Sequence, residues 1–273
     1  MNSKQLYSSV QRELWESRSI YIAPVAVAGL FLFGFLINAV RGPQRLGIER
    51  PYDFVALMLM VISFLVAIFY CLDALYGERR DRSILFWKSL PVSDGTTVLS
   101  KMSIPVVVVP LVTFAITVAT HIAMLLLGSS ILIASGTSGA ALGNELPLTH
   151  IWRMLFIHLL AGHGLWYAPI YAWFLLVSAW ARRAPLLWAV VPPLAVGAVE
   201  KIAFNTSHFA AIVQHRFVGG PSVSGGSTGL SMEAMTPFTL GELLSSPGLW
   251  IGFAVAAAFL AAAVKLRRDR GPI

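Results

Sequence analysis

Residues 20–40 read IYIAPVAVAGLFLFGFLINAV, with no charged side chain. As a helix rising ~1.5 Å per residue this run extends about 31 Å, the thickness of a bilayer's hydrocarbon core. Lipid offers no partner for a bare peptide group, so a run of this length is expected to cross as a helix. Five further apolar runs follow. Phe54–Leu75 is interrupted only near its end, notably by Asp73, and Ile104 to about Leu127 carries Pro105 and Pro110 near its start, where proline is tolerated or kinks the helix. Met154–Trp180 is long and aromatic, holds His158 and His163, and is expected to tilt. Leu186–Val199 is short and contains Pro192-Pro193, which predicts a kink or completion by the residues up to Phe204. The last run, Gly248–Val264, is rich in alanine and stops at Lys265, Arg267, Arg268 and Arg270. The chain therefore reads as an all-α polytopic membrane protein, with six transmembrane helices in a single membrane domain over 1–273.

Composition supports this reading. The chain is 57% hydrophobic and 12% charged, with a mean hydropathy of +0.74, a balance at which a soluble domain would aggregate. A net charge of +7 would suit a nucleic-acid binder only if the basic residues formed one patch, and here they lie between the apolar runs. Their distribution is a topology signal, and no nucleic-acid partner is expected. With the N-terminus inside, Arg41, Arg45, Arg50, Arg153, Lys201 and Arg216 lie outside and the other fourteen of the 20 Lys and Arg lie inside. Both termini are accordingly expected on the cytoplasmic side of the cell membrane. Cys71 sits in an apolar run with no second cysteine to pair with, and is expected to pack as a small hydrophobe.

Residues 1–19 contain no continuous apolar stretch, so a cleaved leader is not expected. The Ala26-Val27-Ala28 triplet resembles a cleavage site, but cutting there would remove only the front of a span. Leu6, Val10 and Leu14 instead recur at helical spacing and predict an amphipathic helix. Two outer segments, 128–148 and 205–247, are long. The second contains the flexible run Gly219–Gly229, preceded by enough apolar character over Phe204–Phe217 for a short helix at the outer surface.

The most informative loop is 76–101, YGERRDRSILFWKSLPVSDGTTVLSK. A charged start is followed by Ser83-Ile84-Leu85-Phe86-Trp87 and a stop at Leu90-Pro91, which predicts a short helix from Ser83 to Leu90; Ser93 and Asp94 can cap the next one. Burying an apolar side chain of this size contributes about 1.5–3 kcal/mol, so these residues should be covered. Lipid interface would cover them, and so would the groove of a soluble partner. Arg79, Arg80 and Arg82 could steer an acidic partner surface or simply retain the loop inside.

This loop resembles that of type-2 ABC exporter permeases, in which an acidic residue closes the second span, a short coupling helix follows, and a Leu-Pro pair precedes a lysine at the third span. Glu78, Leu85, Leu90-Pro91 and Lys101 occupy those places. The N-terminal segment, with Glu13 and Trp15, is similar to the connecting helix such permeases lay along the inner surface. Two departures stand out: Arg82-Ser83 replaces the usual small residue and threonine, and the connection between the last two spans carries a glycine-serine stretch. The resemblance implies two permease chains around a pathway, with two separate ATPase subunits gripping the coupling helices. It assigns partner binding and coupling to Glu78, Arg79, Arg82, Ser83, Ile84, Leu85, Phe86, Trp87, Leu90, Pro91 and Lys101. Independently, the sequence lacks a G-x-x-x-x-G-K-[ST] loop, so ATP and its Mg are expected on the partner and no cofactor on this chain.

Other features suggest less. Gly225-Gly226-Ser227-Thr228-Gly229 matches G-x-S-x-G without the strand and helix a nucleophile elbow needs, and no histidine follows His215. His158 and His163, five apart, would diverge by about 140° on an α-helix, which argues against a shared metal. As ionisable groups within a span they remain pathway candidates, against the plainer reading of satisfied packing. Glu200 and Lys201 read as outer-interface anchors. Ala254, Ala258 and Ala262 recur every four residues, a pattern that would let another helix approach closely, with packing within the bundle expected ahead of dimerisation. Asn205-Thr206-Ser207 matches a glycosylation acceptor, a short pattern common by chance. An exporter subunit thus competes with a membrane assembly protein that docks a cytoplasmic partner, and, further behind, with an intramembrane hydrolase.

Overall fold

A computed structural model of the chain describes residues 3–41, 50–89, 92–135, 148–218 and 240–269. Every regular element among them is helical. The helices are α1 (Ser3–Glu16), α2 (Ser19–Arg41), α3 (Arg50–Ala74), α4 (Tyr76–Arg80), α5 (Ser83–Ser89), α6 (Asp94–Ala134), α7 (Leu148–Trp166), α8 (Ala168–Trp180), α9 (Pro185–Phe204), α10 (His208–Val218), α11 (Leu240–Ser245) and α12 (Pro247–Asp269).

Of the six predicted apolar runs, all but the fourth fall on one continuous helical stretch, with Phe54–Leu75 running one residue past the end of α3. Among the described residues five helical stretches are long and apolar enough to cross a bilayer: Ser19–Arg41, Pro51–Arg80 (α3 continued through α4), Asp94–Ala134, Pro185–Phe204 and Pro247–Asp269. The fourth run differs from expectation. Rather than one tilted helix, it is α7 and α8 meeting at 47°. The cause is local: the second half of α7, His158–Trp166, is π-helical, Tyr167 breaks the ladder, and Pro169 begins α8 without an N–H to continue it. The third run extends beyond expectation at both ends. Ser93 caps it by accepting from the Thr96 N–H at 3.1 Å, and Pro105 is absorbed in a π-turn over Ile104–Val108. The Pro192-Pro193 pair lies inside α9, which continues to Phe204 and ends where Asn205 turns left-handed at φ 51°.

α8 lies at the centre, packed on α12 and α3, while α2 completes the bundle against α3 and α6. Its Tyr171, Ala172, Leu175 and Val177 are buried with Cys71 and Leu75 of α3 and Ala256 and Ala263 of α12. Cys71 is a packed apolar residue, as its surroundings in sequence indicate. The two π segments face each other so closely that a Cβ on Gly164 would lie 2.5 Å from the Val106 carbonyl oxygen. On α12 the packed face is Gly252, Ala256 and Ala263; Ala254 and Ala258 are exposed, which corrects the expectation that they pack within the bundle. α9 is the outlier, with Ala189 as its one buried residue. α1 buries Glu13 and packs Val10 and Leu14 into the core while Tyr7 and Trp15 face outward.

Candidate functional site

The predicted loop is the place where four parts of the chain converge, and charges hold them together. Glu78, on α4, receives Lys101 of α6 at 3.1 Å and Arg267 of α12 at 3.0 Å. Lys101 also reaches Glu13 of α1 at 2.9 Å, and the Tyr70 hydroxyl donates to the same carboxylate at 2.9 Å. Arg267 pairs in addition with Asp94 at the start of α6, and Arg12 lies 3.2 Å from Glu13. Glu13, Glu78, Lys101 and Arg267 are all nearly removed from water. Such charges persist in an interior only when paired and hydrogen-bonded, and here each bridges two elements. Burial by itself would raise the pKa of Glu13; the charge of Lys101, hydrogen bonds from Lys101 and Tyr70, and the charge of Arg12 outweigh it and hold the carboxyl below its ordinary value.

A second set of hydrogen bonds seats the turn that carries the loop. Ser178 Oγ accepts from the backbone N–H groups of Leu75 and Tyr76 at 3.0 and 2.8 Å. The Arg79 guanidinium donates to the carbonyls of Ala179 and Ala181 at 2.7 and 3.2 Å. The break between α3 and α4 and the end of α8 thereby satisfy one another's orphan groups.

From this base α5 projects, as predicted, from Ser83. Its start follows Arg82, exposed and left-handed at φ 60°, whose carbonyl accepts from the Leu85 N–H; the Ser83 hydroxyl donates back to the Glu78 carbonyl instead of capping the helix. Ile84 is buried, while Leu85 and Phe86 are each 59% exposed. The side chain of Trp87, and Leu90 and Pro91, lie outside the described residues. The residues assigned to partner contact thus divide. Glu78, Arg79, Ile84 and Lys101 face inward, Arg79 bonded to the Ala179 and Ala181 carbonyls. Arg82, Leu85 and Phe86 face outward.

Sequence reasoning missed Arg267 and the role of Glu13, although both carry a signal. Glu13 falls seven residues after Leu6, within the apolar stripe of its helix, and Arg267 continues the stripe of Gly252, Ala256 and Ala263 at helical spacing. Both were read by their place in the chain, as an interfacial helix and a basic tail. Asp94, expected to cap, pairs with Arg267 while Ser93 performs the capping.

The two histidines occupy a π-helix, so the α-helical divergence derived from their spacing does not hold; five residues are about one turn there. They nevertheless serve different partners. His158 Nδ1 donates to the Met154 carbonyl at 3.0 Å. His163 lies between Ser63 (3.3 Å from Nε2) and Tyr171 (3.0 Å from Nδ1). Ser63 gives its proton to the Met60 carbonyl at 2.7 Å, so Nε2 donates to Ser63 and Nδ1 accepts from Tyr171. A serine nucleophile needs the opposite direction, with its proton passing to the imidazole. The arrangement is a hydrogen-bonded joint between α3, α7 and α8. Among the described residues no three His, Cys, Asp or Glu side chains converge as metal ligands would.

Comparison of the chain with family models, with curated proteins and with solved structures finds no match.

Proposed function

We propose that this chain is the transmembrane subunit of an ATP-driven exporter of the type-2 ABC class, with α5 as its coupling helix. The observation that carries the reading is the two-sided loop: Leu85 and Phe86 are exposed on α5, while the segment just before it is bonded through Glu78, Lys101 and Arg267 to α1, α6 and α12. A force applied at α5 would reach these elements through short, directional, desolvated contacts rather than a slack linker. In this reading the α7–α8 pair makes the sixth crossing, α1 lies along the inner interface, both termini are cytoplasmic, and a second permease copy completes the pathway. Separate ATPase subunits bind ATP and Mg.

The test is to purify the chain with a candidate ABC ATPase and measure ATP hydrolysis in lipid for the parent and for Leu85→Asp, Phe86→Asp. Intact folding with lost assembly or lost coupling is the expected result. If no ATPase binds, or the variant behaves as the parent, the coupling assignment fails and α5 is an interfacial helix.

A further inference from the structure

Another cation, the half-buried Arg216, lies away from the charge network. Arg216 of α10 reaches beneath its helix to the start of α12. Its guanidinium carbon stands 4.2 Å from the centre of the Trp166 ring, and Nη1 donates to the Gly248 carbonyl at 3.0 Å. A Cβ on Gly252 would occupy the place of the guanidinium, so this glycine makes room for it. Trp166 Nε1 and the Tyr167 hydroxyl donate to the Arg216 and Phe217 carbonyls, each at 3.1 Å, and fix the end of α10 over the π segment of α7.

The remaining donors of Arg216 are not satisfied. Nε and Nη2 are buried and have no hydrogen-bond partner. No ion pair reaches this guanidinium among the described residues, and burial draws its pKa down with no acidic neighbour to oppose it. Nε and Nη2 form one edge of the guanidinium, with two parallel N–H bonds, the fork that accepts two oxygens of a phosphate or carboxylate. The exposed His215 ring stands 5.9 Å from the Trp166 ring on which Arg216 lies. Nη2 lies against Gly252 of α12, and α10, which carries the arginine, is exposed on most of its length and so lightly held.

We propose that Arg216 is a binding site for a phosphate-type oxyanion, gripped by the Nε–Nη2 edge between α10 and α12. Two sources share this chemistry, the headgroup of an anionic lipid and a soluble phosphate. The exposed Ile202, Phe204 and Ile212 around the corner suit a lipid. The assignment does not depend on the exporter reading, because it rests on residues far from α5 in the chain and requires no partner protein.

The test uses the full chain, solubilised and stripped of lipid, in two arms: titration with phosphatidylglycerol followed by native mass spectrometry, and thermal unfolding in inorganic phosphate against chloride of equal ionic strength. Arg216→Gln should bind the responding ligand about tenfold more weakly, the loss of a charge-assisted hydrogen bond. Arg216→Lys should recover part of that loss, as a point charge without the fork. Gly252→Ala keeps the arginine but displaces it, and should weaken binding even if Arg216→Gln does not fold. A response to the lipid alone identifies a headgroup site; a response to inorganic phosphate identifies a soluble oxyanion. No response from the parent in either arm, or equal responses from parent and variants, overturns the proposal.

Discussion

Within the segment Glu78-Arg79-Arg80-Asp81-Arg82, neighbouring charges meet opposite fates. Glu78 and Arg79 are 8% and 4% exposed, whereas Arg80, Asp81 and Arg82 face water. The inner pair is bonded to three other helices. The outer residues bond chiefly to each other, Arg80 to Asp81 at 3.0 Å and more loosely to Asp73 at 3.8 Å. Charge in this loop therefore does two unrelated things: on one face it fixes the loop to the bundle, and on the other it stays on the exposed surface with Leu85 and Phe86. Interaction strength separates the faces, because a desolvated pair is barely screened and a solvated one is almost fully screened.

The largest effect should come from Lys101→Met, which leaves Glu13 and Glu78 buried without their shared cation. A loss of about 3–5 kcal/mol is expected for breaking a buried pair in this way, read as lowered unfolding temperature in detergent. Retention of parental stability would show that the inner face does not fix the loop. Ser178→Ala removes the acceptor for two buried N–H groups and should cost about 1–3 kcal/mol by the same measurement. Acidification should loosen α1 specifically. Because Glu13 has a depressed pKa when folded, its contribution is complete above the ordinary carboxylate range and is lost as pH falls through the folded value. Hydrogen exchange of α1 should accelerate in acid, and Glu13→Gln should show that acceleration already at neutral pH. Smallest of all is Arg80→Ala, expected within about 0.5 kcal/mol of the parent since its partners are solvated.

Much of the helical layout was legible in the sequence. The run 20–40 became α2 with one residue added at each end, and the short helix at Ser83 and the cap at Ser93 appeared where proline and serine placed them. The site was legible in part. Glu78, Leu85, Phe86 and Lys101 could be singled out, but not the division of the loop into two faces. Basic residues beyond a span normally serve topology, and although Arg267 continues the stripe of Gly252, Ala256 and Ala263, that stripe does not say which acid it meets, Glu78, 189 positions earlier. The π segments escaped as well. An extra residue in a turn leaves no signature in hydropathy, and the close approach of Gly164 to Val106 that accompanies it is a property of two helices together.

What the sequence by itself determined is the inventory of apolar segments, their length and their helical state, since each depends on residues within a single run and on the demand that backbone groups be satisfied locally. Only the tertiary structure decided which of those segments is central and which peripheral. α8 and α9 are both strongly apolar, yet α8 is buried among α3 and α12 while α9 buries a single residue. The same holds for the charges. Whether Glu78 or Arg80 is desolvated depends on the cations and carbonyls that arrive from distant parts of the chain, and the free energy of a charge is set by that surrounding, not by its own identity.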